Sequence, residues 1–135
     1  MDWNKLQQYH LNPPTLANAV HREPHVQQEY DQFKRNNPAH INSLADHLFR
    51  DSDITVELNR FPYHIAEGYH LVVWINRGVK FDEKDLMNTL KFLGISEYVI
   101  FENLPVHQSI PLIHHYQLFL RHYTDVIKVL TNPLL

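Results

Sequence analysis

Two histidines stand side by side in an apolar stretch near the end of the chain, which reads QSIPLIHHYQLF over residues 108–119. Alternate residues of an extended strand share a face, so we expect His115 and Gln117 on one face and His114 on the other. A histidine that a neighbouring amide or carbonyl holds in one tautomer can act as a nucleophile. The spacing therefore favours His115 and Gln117 as a catalytic pair, while an alternative stays open in which both histidines are hydrogen-bonded core residues. A β-bulge would bring His114 into the same cleft as a ligand-binding residue.

The segment before this strand carries polar side chains that suit an anion. Asn103, Gln108 and Ser109 lie in the stretch FENLPVHQSIP, where a loop would also leave backbone N–H groups unpaired. Such groups bind phosphate and other oxyanions. A plainer interpretation stays open, in which Asn103 and Ser109 only cap the turn between two strands.

Histidine is also a common zinc ligand, and other histidines of the chain are candidates to join His115 in a metal site. They are His64, His70 and His107. The chain has no cysteine, and Gln117 stands where a second histidine would complete a strand H-x-H pair. We therefore expect no metal and no other cofactor.

Composition narrows the class of protein. The chain has 135 residues, 44% of them hydrophobic, and no cysteine, which is typical of one globular domain in a reducing compartment. A net charge of −3 gives no basic surface for a nucleic-acid backbone. The polar start, MDWNKLQQYH, resembles neither a signal peptide nor a membrane span. We expect a cytoplasmic protein that binds neither nucleic acids nor membranes, and a homodimer stays open.

The first half of the chain shows helical spacing. Thr15 is placed to cap a short helix over 16–20, and Pro24 suits the first turn of another helix. Apolar residues at helical spacing then mark two helix faces that we expect in the core. These faces consist of Val26, Tyr30 and Phe33, followed by Ile41, Leu44 and Leu48.

The second half changes to strand spacing. Alternation over 54–58 and apolar runs at 71–75, 98–101 and 112–120 predict four strands, and the leucines after Asp82 predict a helix over 82–93. Long polar loops between strands favour antiparallel pairing. The expected fold class is α+β, with N-terminal helices packed on a mainly antiparallel sheet of about four or five strands. We expect a single domain over 1–135, made of a helical front end (1–50), an α+β core (51–122) and a C-terminal helix or arm (123–135).

Several long segments of the chain suggest a family. They are DWNKLQQYHLN, HREPHVQQEYDQF, ITVELNRFPYHIAEGYHLVVW and ENLPVHQSIPLIHHYQLFLR. With the elements NxFPY, HLVVW and QSIPxIHHxxxF in this order, the chain resembles the N-acetylglucosamine-induced protein family, a domain family of unknown function found in fungi and elsewhere. The resemblance implies a helical front end followed by a β-rich half, and it supplies no reaction.

A remoter resemblance covers roughly residues 54–121 and concerns the order of short motifs. The motifs are Asn59-Arg60-Phe61-Pro62, His70-Leu71-Val72-Val73, the helix at 82–93, Asn103, Gln108-Ser109-Ile110 and His115-Tyr116-Gln117. Their order is similar to that of the histidine-triad superfamily, which includes the galactose-1-phosphate uridylyltransferases and the dinucleoside-tetraphosphate phosphorylases. This similarity implies a histidine-triad-like core.

The remoter resemblance also implies a role for each matching residue. His115 would be the nucleophile that takes a nucleotidyl group as a phosphoramidate, and Gln117 would hold the transferred phosphate or the imidazole. The implied ligand-binding residues are Asn103, Gln108 and Ser109 near the phosphate, Asn59, Phe61 and Tyr63 around the base and ribose, and His70 in support at the sheet edge.

Four functions remain open at this stage. The first is a nucleotide or sugar-phosphate transferase or hydrolase that uses His115. Because Ile113 stands where the first histidine of the triad would fall, the second is a module that binds a phosphorylated metabolite without turnover. The third is a protein-interaction domain that uses aromatic residues near Phe61, Tyr63 and Tyr69. The fourth is a metal-dependent enzyme.

Overall fold

The computed structural model describes residues 1–16, 19–108, 110 and 112–122, with the side chains of 41 and 42 left out. Within these residues the chain forms helices, strands and one short 3-10 turn. The helices are α1 (Trp3–Gln7), α2 (Pro24–Asn36), α3 (His40–Leu48) and α4 (Glu83–Phe92), the strands are β1 (Ile54–Leu58), β2 (Tyr69–Ile75), β3 (Tyr98–Phe101) and β4 (His114–Leu120), and the 3-10 turn is Pro105–His107.

Capping residues explain where several helices begin. The Asp2 carboxylate accepts a hydrogen bond from the Lys5 backbone N–H at 2.8 Å and starts α1. Pro24 occupies the first turn of α2, as expected from the sequence. Asp82 caps α4 by accepting from the Lys84 N–H at 2.9 Å. The short helix expected over 16–20 lies partly outside the described residues, and the helix or arm expected over 123–135 lies wholly outside them.

The strands form one antiparallel sheet in the order β1-β2-β4-β3. The predicted α+β class with antiparallel strands is therefore confirmed. Along the pairing of β2 with β4, His70 lies opposite Phe119, Val72 opposite Gln117 and Trp74 opposite His115. Side chains directly opposite each other in an antiparallel pair point to the same face, so this face carries all six residues.

The two faces of the sheet are covered by different helices. One face packs on α4 through a core that includes Leu71, Val73, Leu86, Leu90 and Leu118. The opposite face packs on α1 and α3 through two further apolar clusters. These clusters are Trp3, Leu6, Val20, Val99, Phe101 and Phe119, and Leu44, Leu48, Val72, Trp74 and Ile113. His115 and Gln117 lie on this second face, beneath the helices of the first half of the chain.

Gly68 fixes the entry of the chain into β2. It has a φ of +112°, and a Cβ there would lie 2.7 Å from the Leu120 carbonyl oxygen of β4. Gly78 offers a matched control, because its φ is +82° and a Cβ there would meet nothing within 4 Å. We expect Gly68→Ala to lower the free energy of unfolding by about 3 kcal/mol and Gly78→Ala by about 1 kcal/mol. Urea denaturation of both variants tests this, and equal losses would contradict the role given to the close approach.

Candidate functional site

His115 is buried in β4 with one of its ring nitrogens committed to the backbone. Its Nδ1 lies 2.7 Å from the carbonyl oxygen of Ile113. A carbonyl can only accept, so Nδ1 carries the proton and Nε2 keeps its lone pair. Burial lowers the pKa of His115 below its usual value of 6.5. The imidazole is therefore neutral at physiological pH, with Nε2 available as a nucleophile or base.

Gln117 is oriented by a buried network that begins at the backbone. The Tyr63 N–H donates to Nδ1 of His70 at 3.0 Å, so Nε2 of His70 must carry the ring proton. That nitrogen donates to Oε1 of Gln117 at 2.5 Å. The amide oxygen of Gln117 is thereby occupied, and its NH₂ group is left to donate to a ligand.

His70 holds this network because it stays neutral. Burial lowers its pKa to about 3, with a smaller opposing effect from the hydrogen bond to Gln117 and a further lowering from the charge of Arg22. Its ring stacks on Phe119 with centroids 4.4 Å apart, and it lies 4.7 Å from the ring of Tyr63. His70 therefore supports Gln117 from behind.

Asn103 follows β3 and is tied to the loop on both sides. Its Nδ2 donates to the Tyr63 hydroxyl at 3.0 Å, and its backbone carbonyl accepts from Gln108 Nε2 at 2.8 Å. Asn103 is buried. Gln108 acts here by holding the loop that carries Asn103.

Asn59 closes the turn after β1. Its Oδ1 accepts from the Phe61 N–H at 2.8 Å, and its own N–H donates to the His70 carbonyl at 2.8 Å. This short turn brings Phe61 and Tyr63 over the sheet face that carries Gln117.

A cavity of about 310 Å³ lies between this sheet face and the helices of the first half. Six residues predicted from the sequence line it together. They are Asn59, Phe61, Tyr63, Asn103, His115 and Gln117. Six of the ten residues predicted for the site therefore surround one cavity.

The other predicted site residues lie elsewhere. His70 is behind Gln117 and borders a separate depression of about 400 Å³, and Gln108 contacts Asn103 from the loop. His114 points to the opposite face of the sheet, where its Nε2 lies 2.9 Å from Oε1 of Glu102, and it does not line the cavity. Ser109 falls outside the described residues.

Side chains of the helical front end, together with further residues of the sheet and its loops, complete the cavity. Sequence spacing did not mark them as site residues. Tyr30 and Phe33 were predicted as core. Tyr30 is buried, whereas Phe33 is only partly buried, and both pack against Phe61 with ring centroids 5.0 and 5.5 Å apart. Their aromatic spacing was the available signal. The additional lining residues are Arg22, Tyr30, Phe33, His40, Leu44, His47, Glu57, Leu58, Arg60, Val72, Trp74 and Ile110.

The histidines do not gather into a metal centre in the described part of the chain. Across residues 1–16, 19–108, 110 and 112–122, no group of three or more histidine, aspartate or glutamate side chains is placed to hold a metal ion. In the same residues, none of the helices has the length and apolar character needed to cross a membrane.

Comparison with known proteins supports the fold. The chain is similar to the crystal structure of a protein named HTC1, with a TM-score of 0.58 and 17% sequence identity over 87% of this chain and 86% of that one. At this level of identity the likeness shows the fold alone. No protein-family model and no curated protein matches the chain.

Proposed function

We propose that this protein is a nucleotide or sugar-phosphate transferase or hydrolase of the histidine-triad type, with His115 as its nucleophile. The observation that carries the proposal is the paired arrangement on β4. Nε2 of His115 is the ring nitrogen not used by the Ile113 carbonyl, and the Gln117 amide has its NH₂ group left to donate into the same cavity. A nucleophile beside a donor for developing negative charge suits attack on phosphorus.

The proposed reaction has two steps. Nε2 of His115 attacks the phosphorus of a phosphate ester or anhydride, so that a P–N bond forms while a P–O bond breaks and its electron pair leaves on the departing oxygen. Water, which loses a proton to solvent, or a second phosphate then attacks the same phosphorus, the P–N bond breaks, and the electron pair returns to Nε2. The Gln117 N–H donors would contact the phosphoryl oxygens during both steps.

One observation favours binding without turnover as the second candidate. Ile113 is buried against Trp74, Leu44 and Leu48, in the position that carries the first histidine in the triad pattern. That position offers no side-chain proton to a leaving group. The same cavity would then hold a phosphorylated metabolite without cleaving it.

An adduct experiment separates the two candidates. The full chain is incubated with ATP and with UDP-sugars, and intact mass spectrometry is used to find an acid-labile nucleotidyl adduct. We expect an adduct on the wild type and on His114→Ala, whose side chain lies on the other face, but none on His115→Ala. Binding detected by calorimetry without an adduct would favour the second candidate, a binding module. The absence of both binding and an adduct would contradict both candidates.

A cytoplasmic location, a homodimer and membership of the N-acetylglucosamine-induced family stay predictions from the sequence.

The cavity supports a small ligand more directly than a protein partner, because its aromatic residues line the cavity.

A further inference from the structure

The cavity has an excess of positive charge that the residues around it do not balance. Arg22 and Arg60 both line it, and Glu57 is the carboxylate among the lining residues. Glu57 lies 3.7 Å from His47. Within the described residues, no carboxylate comes within 4.0 Å of either guanidinium. Arg22 is partly buried, whereas Arg60 is exposed. A partly buried charge that no opposite charge pairs with is costly, and an anionic ligand beside Arg22 would offset that cost.

Arg22 is held in place without using most of its donors. Its Nε donates to the Phe61 carbonyl at 2.6 Å, and its guanidinium carbon lies 4.4 Å from the ring centre of Tyr30 and 5.1 Å from that of Tyr63. A further contact to Gln27 is long, at 3.5 Å. Arginine has five N–H donors in a rigid fork, so the rest of the fork can meet a ligand without a change of conformation.

Contacts through Tyr63 join Arg22 to the reactive end of the cavity. The Tyr63 ring lies against the guanidinium, its hydroxyl accepts from Asn103, and its backbone N–H donates to the His70 ring that holds Gln117. Arg22 is therefore one side chain away from the groups proposed to hold the phosphate.

We propose that Arg22 is the specificity-determining residue of the site, and that its guanidinium binds a second anionic group of the ligand whose phosphorus His115 attacks. The assignment rests on the proposed function. It gives the helical front end a chemical role, because Arg22 precedes α2 and belongs to no strand of the sheet. Ligands with two neighbouring anionic groups should bind better than ligands with one.

Arg22→Gln tests this assignment with inorganic pyrophosphate and inorganic phosphate as probes. Calorimetry on the full wild-type chain should show that pyrophosphate binds at least about tenfold more tightly than phosphate. A preference of this size is expected for charge-assisted hydrogen bonds. In Arg22→Gln the ratio of the two affinities should fall to about one. The preference should persist in Arg35→Gln, which removes the same charge from an exposed position on α2.

Two further results make the outcome decisive. If Arg22→Gln does not fold by circular dichroism, Arg22→Lys replaces it. That variant keeps the charge without the fork, and its preference should fall by about threefold or more. An unchanged preference in the folded variant overturns the role of Arg22. The binding of pyrophosphate and phosphate needs no turnover, so the two proposals are tested separately. The wild type can prefer pyrophosphate without forming a His115 adduct, and it can form the adduct without that preference.

Discussion

Replacing His115 by alanine is expected to lower kcat/KM by about 10⁴-fold or more on whichever nucleotide or sugar phosphate the protein turns over. The reason is that a double displacement cannot start without its nucleophile, and the remaining cavity contributes binding and charge stabilisation only. The measurement is product formation under conditions where wild-type turnover is well above background.

The fold of this variant must be checked, because His115 is buried beside Trp74 with ring centroids 4.9 Å apart. Losing the ring leaves the Ile113 carbonyl without its hydrogen bond and should cost about 1–3 kcal/mol in the free energy of unfolding.

His114→Ala is the matched control and should keep nearly full activity. His115→Gly with added imidazole should recover part of the rate. Turnover that survives in a folded His115→Ala would remove His115 from the mechanism.

The second large effect concerns stability at low pH and depends on His70. Its pKa is about 3 in the folded protein and 6.5 when unperturbed. Between these pH values His70 therefore binds a proton in the unfolded chain but not in the folded chain. The free energy of unfolding decreases as the pH falls from 6.5 towards 3. Since one pKa unit corresponds to about 1.4 kcal/mol, the loss from this one group is about 3 kcal/mol two units below 6.5.

His70→Phe isolates this contribution. Phenylalanine can keep the stacking on Phe119 and Tyr63, but it leaves the Tyr63 N–H and the Gln117 amide oxygen without partners, which should cost about 2–4 kcal/mol near pH 7. As the pH is lowered from 6.5 to 4.5, the difference in the free energy of unfolding between wild type and variant should narrow by about 3 kcal/mol. Urea denaturation at several pH values measures this difference. Parallel curves for the two proteins would show that His70 does not control acid stability.

The strand period was enough to place His115 and Gln117 on one face, because a strand alternates strictly. It also identified four strands, although β2 begins at Tyr69 and not at 71, and β4 begins at His114 and not at 112. Tyr69 and His70 escaped the prediction because polar residues do not extend an apolar run. Their pairing with Leu120 and Phe119 places them in the strand.

The helical wall of the cavity could not be predicted in the same way. The bond from Arg22 to the Phe61 carbonyl joins residues 39 positions apart, and local spacing says nothing about which distant segments meet. Tyr30 and Phe33 look like ordinary core residues from their period, since a residue facing a cavity and one facing a packed core have the same spacing. The contact between His114 Nε2 and Glu102 Oε1 is another that only tertiary structure brings about.

The bond from His70 to Gln117 has a consequence for which molecules the cavity accepts. An amide side chain can usually turn over and offer either its oxygen or its nitrogen, but the Gln117 oxygen is already occupied by a donor that the Tyr63 backbone fixes. Turning it over would set two donors against each other and leave them unpaired. At this point the cavity can therefore discriminate between compounds by polarity. It favours a group that presents an oxygen lone pair and disfavours an ammonium group of the same size, which can only donate.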